Sequence, residues 1–123
     1  MKYVELHCAS AFSFLGGASR PEDLVSRAKE LDLPAIALVD RDGVYGAPRF
    51  HMAAKSVGIR PHVGAEISVE GFGNLARPPS WIPNSFPARP VRLPLLVKRL
   101  TGYQNLCRLM TRYKLREDRK SVV

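Results

Sequence analysis

The sequence is short of cysteine, of tryptophan and of long apolar runs. Cys8 and Cys107 are its two thiols in 123 residues. They form neither a disulfide framework nor a CxxC metal motif, so reduced thiols in a cytoplasmic protein are expected. No apolar run approaches the ~18–20 residues a membrane span needs, and no membrane contact is expected. The opening MKYVELHCAS leads into no apolar core region, which argues against a secretory signal. There is no GxxxxGK[ST] run either, so Gly16-Gly17 and Gly43 read as turn glycines rather than a phosphate loop.

Acidic residues are scarce in one half only. Residues 1–70 hold 8 Lys/Arg and 9 Asp/Glu, whereas residues 71–123 hold 11 Lys/Arg and 2 Asp/Glu, and the net charge is +8. The basic excess sits wholly in the second part. Such asymmetry fits a polyanionic partner, DNA or RNA first, and equally fits a solvated surface facing acidic groups elsewhere. Hydrophobic residues make up 46% of the chain, enough for a globular core.

A β/α rhythm runs through the first seventy residues. Tyr3–Cys8 reads as a short strand. Ser19 and Glu22 form a capping-box pattern with Pro21 in the first turn, and Leu24, Val25, Ala28 and Leu31 mark the buried stripe of a helix that Pro34 stops. Ala35–Val39 is a continuous apolar run, as in a strand covered on both faces. A second helix is expected over Ala47–Val57 with Gly58 as its C-cap, then a strand over Pro61–Val69. This alternation predicts a parallel sheet or an α/β barrel, in which functional groups gather at the C-terminal strand ends. The rhythm then breaks. A Pro-rich basic loop is expected at about 71–92, a fourth strand at Leu93–Lys98, and a third helix with Thr101–Gln104 as its capping box. Tyr103, Leu106, Cys107, Met110 and Tyr113 form that helix's apolar face. The charged residues from about 115 to 123 continue no pattern.

Three residues sit where such a fold collects ligands. His7 ends the first strand, Asp40 follows the second, and Glu66 lies on the third. Converging His, Asp and Glu suit a divalent metal, and metal-activated water is the usual route to phosphoester hydrolysis. Each also has a plain structural role open to it: a rim hydrogen bond for His7, an Asx-turn for Asp40, a solvent-facing strand position for Glu66. His51 reads as a surface or packing residue, and His62 has no assigned role. Trp81 and Phe86, among Arg77, Arg89 and Arg92, either stack on single-stranded bases or pack the loop against the body.

Three ordered blocks resemble the PHP domains that open bacterial DnaE-type DNA polymerases. They are LHCASAFSFLGGAS (Leu6–Ser19), AIALVDRDGVYGAPRFHMAAKSVGIRPHVGAEISV (Ala35–Val69) and GYQNLCRLMT (Gly102–Thr111). The resemblance implies a partial PHP-type (β/α) barrel of about four strands and three helices with open edges. It also implies a place in a longer polymerase whose catalytic carboxylates lie far downstream, so that this chain alone is not expected to catalyse nucleotide transfer. The family pairs two histidines as H-x-H on the first strand; here His7 is followed by Ala9 at the second position, and Cys8 faces the other way. The family often has Asp-His at the second strand end; here Asp40 precedes Arg41, which cannot ligate. Glu66 matches the family's metal-bridging glutamate. Two of the five expected N-terminal ligand positions are therefore lost, a pattern that resembles the error-prone, damage-tolerant branch. The resemblance implies a vestigial metal site and a supportive role, with no cofactor, or zinc or manganese where the site works. The partners it implies are the remainder of a polymerase and DNA. Arg77, Arg89, Arg92, Lys98, Arg99, Arg108 and Arg112 are the candidate nucleic-acid contacts. A free-standing metal phosphoesterase and a small basic nucleic-acid-binding module are the alternatives. The unpatterned tail also fits a chain cut from a longer gene.

Overall fold

The computed structural model describes residues 2–69 and 91–120, the side chains of 116–120 excepted. The elements run β1 (Glu5–Cys8), α1 (Pro21–Glu30), β2 (Ala35–Arg41), α2 (Ala47–Val57), β3 (Arg60–Val69), β4 (Val91–Leu96) and α3 (Leu100–Lys120). The strands form one curled sheet in the order β1-β2-β3-β4, so β1 and β4 are its edges among the described residues.

Local chemistry explains most boundaries. In α1, Pro21 occupies the first turn with Glu22 and Asp23, and Arg27 and Lys29 close the last turn, all favourable to the helix dipole. The cap is Arg20 rather than Ser19. The Asp23 carboxylate accepts the Arg20 backbone N–H at 3.3 Å and its guanidinium at 2.9 Å. Glu22 is freed from capping and accepts from Arg49 of α2 at 2.6 Å, tying the two helices together. The α2 helix matches expectation, and Gly58 caps it in the left-handed conformation at φ 77°.

The second half departs from the sequence reading in three ways. The β4 strand starts at Val91 instead of Leu93, so Arg92 lies in the sheet. It pairs antiparallel with β3, whereas β1, β2 and β3 are mutually parallel. A parallel partner needs a crossover, usually helical, and the sequence between β3 and β4 has no helical period. Pro94 opposes Glu66 in this ladder, a position an edge strand tolerates. The α3 helix begins at Leu100, with the Tyr103 N–H bonded to the Arg99 carbonyl, so Thr101 is inside the helix and caps nothing. Its backbone continues helical to Lys120, through the charged segment. The expected loop residues Arg77, Trp81, Phe86 and Arg89 lie outside the described residues.

The sheet has one helix-covered face. Val25 and Ala28 of α1 and Phe50 and Ala54 of α2 pack on Ile36 and Leu38. Leu106 and Met110 of α3 pack on Ala65, with Ile67 and Leu95 against them. Alternation therefore puts Ala37, Val39, Gly64 and Glu66 on the opposite face. Phe50 is fully buried at the centre of the larger cluster. Replacing it with alanine should cost about 3–5 kcal/mol, a large share of the ~5–15 kcal/mol total for a small domain. Urea unfolding followed by circular dichroism is the check, with the Phe50→Ala midpoint expected well below that of the parent chain.

Candidate metal centre

The pairing register brings the candidate ligands near one another and then separates them by face. Arg41 opposes Glu66 in the β2–β3 ladder. His7, one residue before the core-facing Cys8, lies on the same side as Glu66. Its Nε2 is 2.8 Å from Glu66 Oε2. The other oxygen, Oε1, faces two guanidinium groups: Arg92 Nη1 at 3.6 Å and Arg41 Nε at 4.0 Å. Arg92 also reaches Asp42 Oδ2 at 4.0 Å. These arginine distances are ion-pair contacts, longer than hydrogen bonds. The Glu66 side chain is only 15% exposed, so little water competes with the three cationic or imidazole neighbours.

Asp40 is not part of that cluster. It lies inside β2, on the face that carries Leu38, and is 2% exposed. Its Oδ1 accepts the Ser10 backbone N–H at 2.6 Å and the Ser13 hydroxyl at 2.7 Å, and its Oδ2 accepts the Ser10 hydroxyl at 2.7 Å. Ser13 Oγ in turn accepts the Arg41 N–H at 2.9 Å. The carboxylate therefore clamps the loop after β1 onto the end of β2. Gly17 completes the clamp, because a Cβ there would overlap the Ser10 carbonyl oxygen. Asp42 follows in the left-handed conformation at φ 54°, its N–H donating to the Glu66 carbonyl at 2.8 Å; its Oδ1 is buried without a hydrogen-bond partner among the described residues.

The remaining sequence candidates scatter. Ala9 presents a methyl and no donor atom. Burial, and to a lesser degree Glu5, pushes the Cys8 thiol up to about 11, so it stays protonated at neutral pH. Among the described residues no group of three His, Cys, Asp or Glu is placed to share one ion. Of the basic candidates, Arg92 is engaged by Glu66 and Asp42, and Arg108 donates to Asn105 at 3.3 Å. Lys98 and Arg99 stand at the start of α3, and Arg112 is exposed along it. Arg77 and Arg89 lie outside the described residues. Sequence reasoning missed Ser10 and Ser13 as partners of Asp40. The signal was the pair of serines in ASAFS, directly after the strand that carries His7.

The Asp40 clamp makes a ranked prediction. Asp40→Ala leaves one buried N–H and two hydroxyls without their acceptor and should cost roughly 3 kcal/mol or more. Asp40→Asn keeps the shape but turns one acceptor into a donor, and should cost about 1–3 kcal/mol. Glu30→Ala, which removes an exposed pair with Arg27, should fall within ~1 kcal/mol of the parent. Equilibrium urea denaturation of the three variants checks the order.

Comparison with known proteins accords with this layout. Residues 5–122 match the PHP domain family. The chain is 49% identical over 111 residues to the error-prone DNA polymerase of Anaeromyxobacter sp. (strain K), covering 90% of this chain and 9% of that protein. It is 40% identical over 113 residues to the error-prone DNA polymerase of Ralstonia nicotianae, covering 92% of this chain and 9% of that protein. The chain thus spans about a tenth of the length of these relatives. Among solved structures it is similar to one described as a putative metal-dependent phosphoesterase from Bifidobacterium adolescentis, with TM-score 0.53 and 28% identity, over 58% of this chain and 24% of that one. It is also similar to an amidohydrolase from Chromobacterium violaceum solved with bound sulfate and no metal, with TM-score 0.51 and 32% identity, over 55% of this chain and 23% of that one. A parallel β/α core, a half-barrel sheet and a match over nearly the whole length lead to one conclusion: this chain belongs to the PHP domain family.

Proposed function

We infer that this chain is a catalytically silent PHP segment of an error-prone DNA polymerase, whose role is to pack against the rest of that enzyme. The carrying observation is the surroundings of Glu66. The family's divalent ion would be held by His7, Asp40 and Glu66, and these residues do not fit it. Asp40 spends both oxygens on Ser10 and Ser13. Ala9 has no donor atom. Glu66 already faces Arg41 and Arg92, two permanent positive charges. A divalent ion placed there would have to share Glu66 with these two guanidinium groups and be repelled by both. The guanidinium groups do the ion's electrostatic work without its chemistry, so the site holds shape and activates no water.

The likeness to error-prone polymerases at 49% identity supports the choice of parent. In that setting the partners are the remaining polymerase and, through it, DNA. The function of the whole is damage-tolerant synthesis during repair in the cytoplasm. Among the described residues no helix is long and apolar enough to cross a membrane.

The competing reading, a metal phosphoesterase, draws on the Bifidobacterium neighbour. Hydrolysis of p-nitrophenyl phosphate and its diester, with manganese or zinc supplied, separates the two. We expect release of p-nitrophenol no faster than in the protein-free blank. Metal-dependent turnover that disappears in Glu66→Gln would establish the phosphoesterase reading instead.

A further inference from the structure

The helix-covered side of the sheet carries a second concavity, remote from Glu66. It is a groove of about 690 Å³ between α2 and the start of α3, floored by the first residues of β3. Its cationic and imidazole lining is His51, Arg60, His62, Lys98 and Arg99. No carboxylate lines it. The described carboxylates are engaged elsewhere, Glu5 with Tyr3, Glu22 with Arg49, Asp23 with Arg20, Glu30 with Arg27, Asp32 with Lys2, Asp40 with Ser10 and Ser13, and Glu66 and Asp42 with Arg92. Arg60, Lys98 and Arg99 therefore stand together without a countercharge among the described residues. The first turn of α3, a 21-residue helix, opens at the same rim and adds its positive end.

The rest of the lining is apolar or aromatic. Met52 and Leu100 are 69% and 73% exposed at its edge, large values for such side chains, and Pro61 and Tyr103 extend the surface between them. The volume lies within the usual range for small-molecule sites. Three permanent cations exceed what a single carboxylate, such as that of a fatty acid, would balance. They suit several negative charges held close together. The apolar floor with an aromatic ring suits a flat, weakly polar body attached to them.

We propose that this groove binds a nucleotide, its phosphates against Arg60, Lys98 and Arg99 and its base against Met52, Pro61, Leu100 and Tyr103. The inference does not rest on the reading of Glu66, because the two sites share no residue; failure of one leaves the other standing. The same chemistry has two sources, a free nucleoside triphosphate or one unit of a DNA strand.

Isothermal titration of the 123-residue chain with dATP is the test, with inorganic tripolyphosphate and the oligonucleotide (dT)10 as parallel probes. dATP should bind with a Kd below ~100 µM. The double substitution Lys98→Ser with Arg99→Ser should weaken it at least ~tenfold through lost charge-assisted contacts. Met52→Glu, at an exposed position that folding tolerates, should do the same by opposing the phosphates; it keeps the test alive where the double variant unfolds. Lys29→Ser, at an exposed position on α1 outside the groove, should leave the affinity within about twofold, as expected of a distant exposed site. Tripolyphosphate should bind at least ~tenfold more weakly than dATP, for want of a base. Competition by (dT)10 assigns the site to a strand, and absence of competition to free nucleotide; either places a nucleotide in the groove. The proposal is overturned by no binding of dATP at ~1 mM, by equal binding of tripolyphosphate, or by a loss in Lys29→Ser as large as in the groove variants, each of which marks diffuse surface charge.

Discussion

A buried carboxylate with all of its work done by neighbours is the constraint on which this structure turns. Asp40 is 2% exposed, and an ionised group so placed is costly unless it is fully hydrogen-bonded. Ser10 and Ser13 supply those bonds from a loop 27 to 30 residues earlier in the chain. The loop after β1 is thereby fixed to the end of β2. That attachment carries outward: Ser13 receives the Arg41 N–H, and Arg41 stands opposite Glu66 in the ladder. Phe12, on the same loop, stacks on Tyr45 with ring centroids 6.4 Å apart. A residue type that reads as a metal ligand in the sequence is here the anchor of the local architecture.

The second consequence concerns charge. In a metal-dependent relative, a cluster of anionic ligands is balanced by the ion it binds. In this chain one glutamate remains at the strand ends, and Arg41, Arg92 and His7 surround it. Each arginine is more than a third exposed, and pairs of that kind contribute only ~0–1 kcal/mol apiece. Their importance is therefore not stability. They place two guanidinium groups where a cation would have to sit. On the proposed reading, an arginine at a ligand position does more than omit a donor atom; it supplies a positive charge of its own.

How much of this was legible in the sequence depends on the range of the interaction. Pro21, Gly58 and the apolar run Ala35–Val39 placed α1, α2 and β2 correctly, because each rests on chemistry within a few residues. The cap of α1 shifted by one residue since Asp23 could serve Arg20 while Glu22 found Arg49 across the helix pair. The β4 strand begins two residues earlier than expected because Val91 and Arg92 read locally as the end of the Pro-rich loop, and only pairing with Val69 and Ser68 of β3 places them in the sheet. Arg92 read as a DNA-facing cation, yet the β3–β4 pairing turns it toward Glu66 and Asp42. Ser10 and Ser13 show in the sequence only as a pair of serines after the first strand, because their role as partners of Asp40 exists only once β1 and β2 lie side by side. The family resemblance supplied the architecture and flagged Ala9 and Arg41; the countercharge around Glu66 and the clamp on Asp40 are tertiary facts.

The central claim is that arginine has taken the metal's place at Glu66, and metal content tests it most directly. The purified 123-residue chain would be loaded with excess manganese or zinc, passed through gel filtration, and analysed by inductively coupled plasma mass spectrometry. The account predicts ions far below one per chain, unchanged in Glu66→Gln. About one tightly held ion per chain, lost in Glu66→Gln, would contradict it.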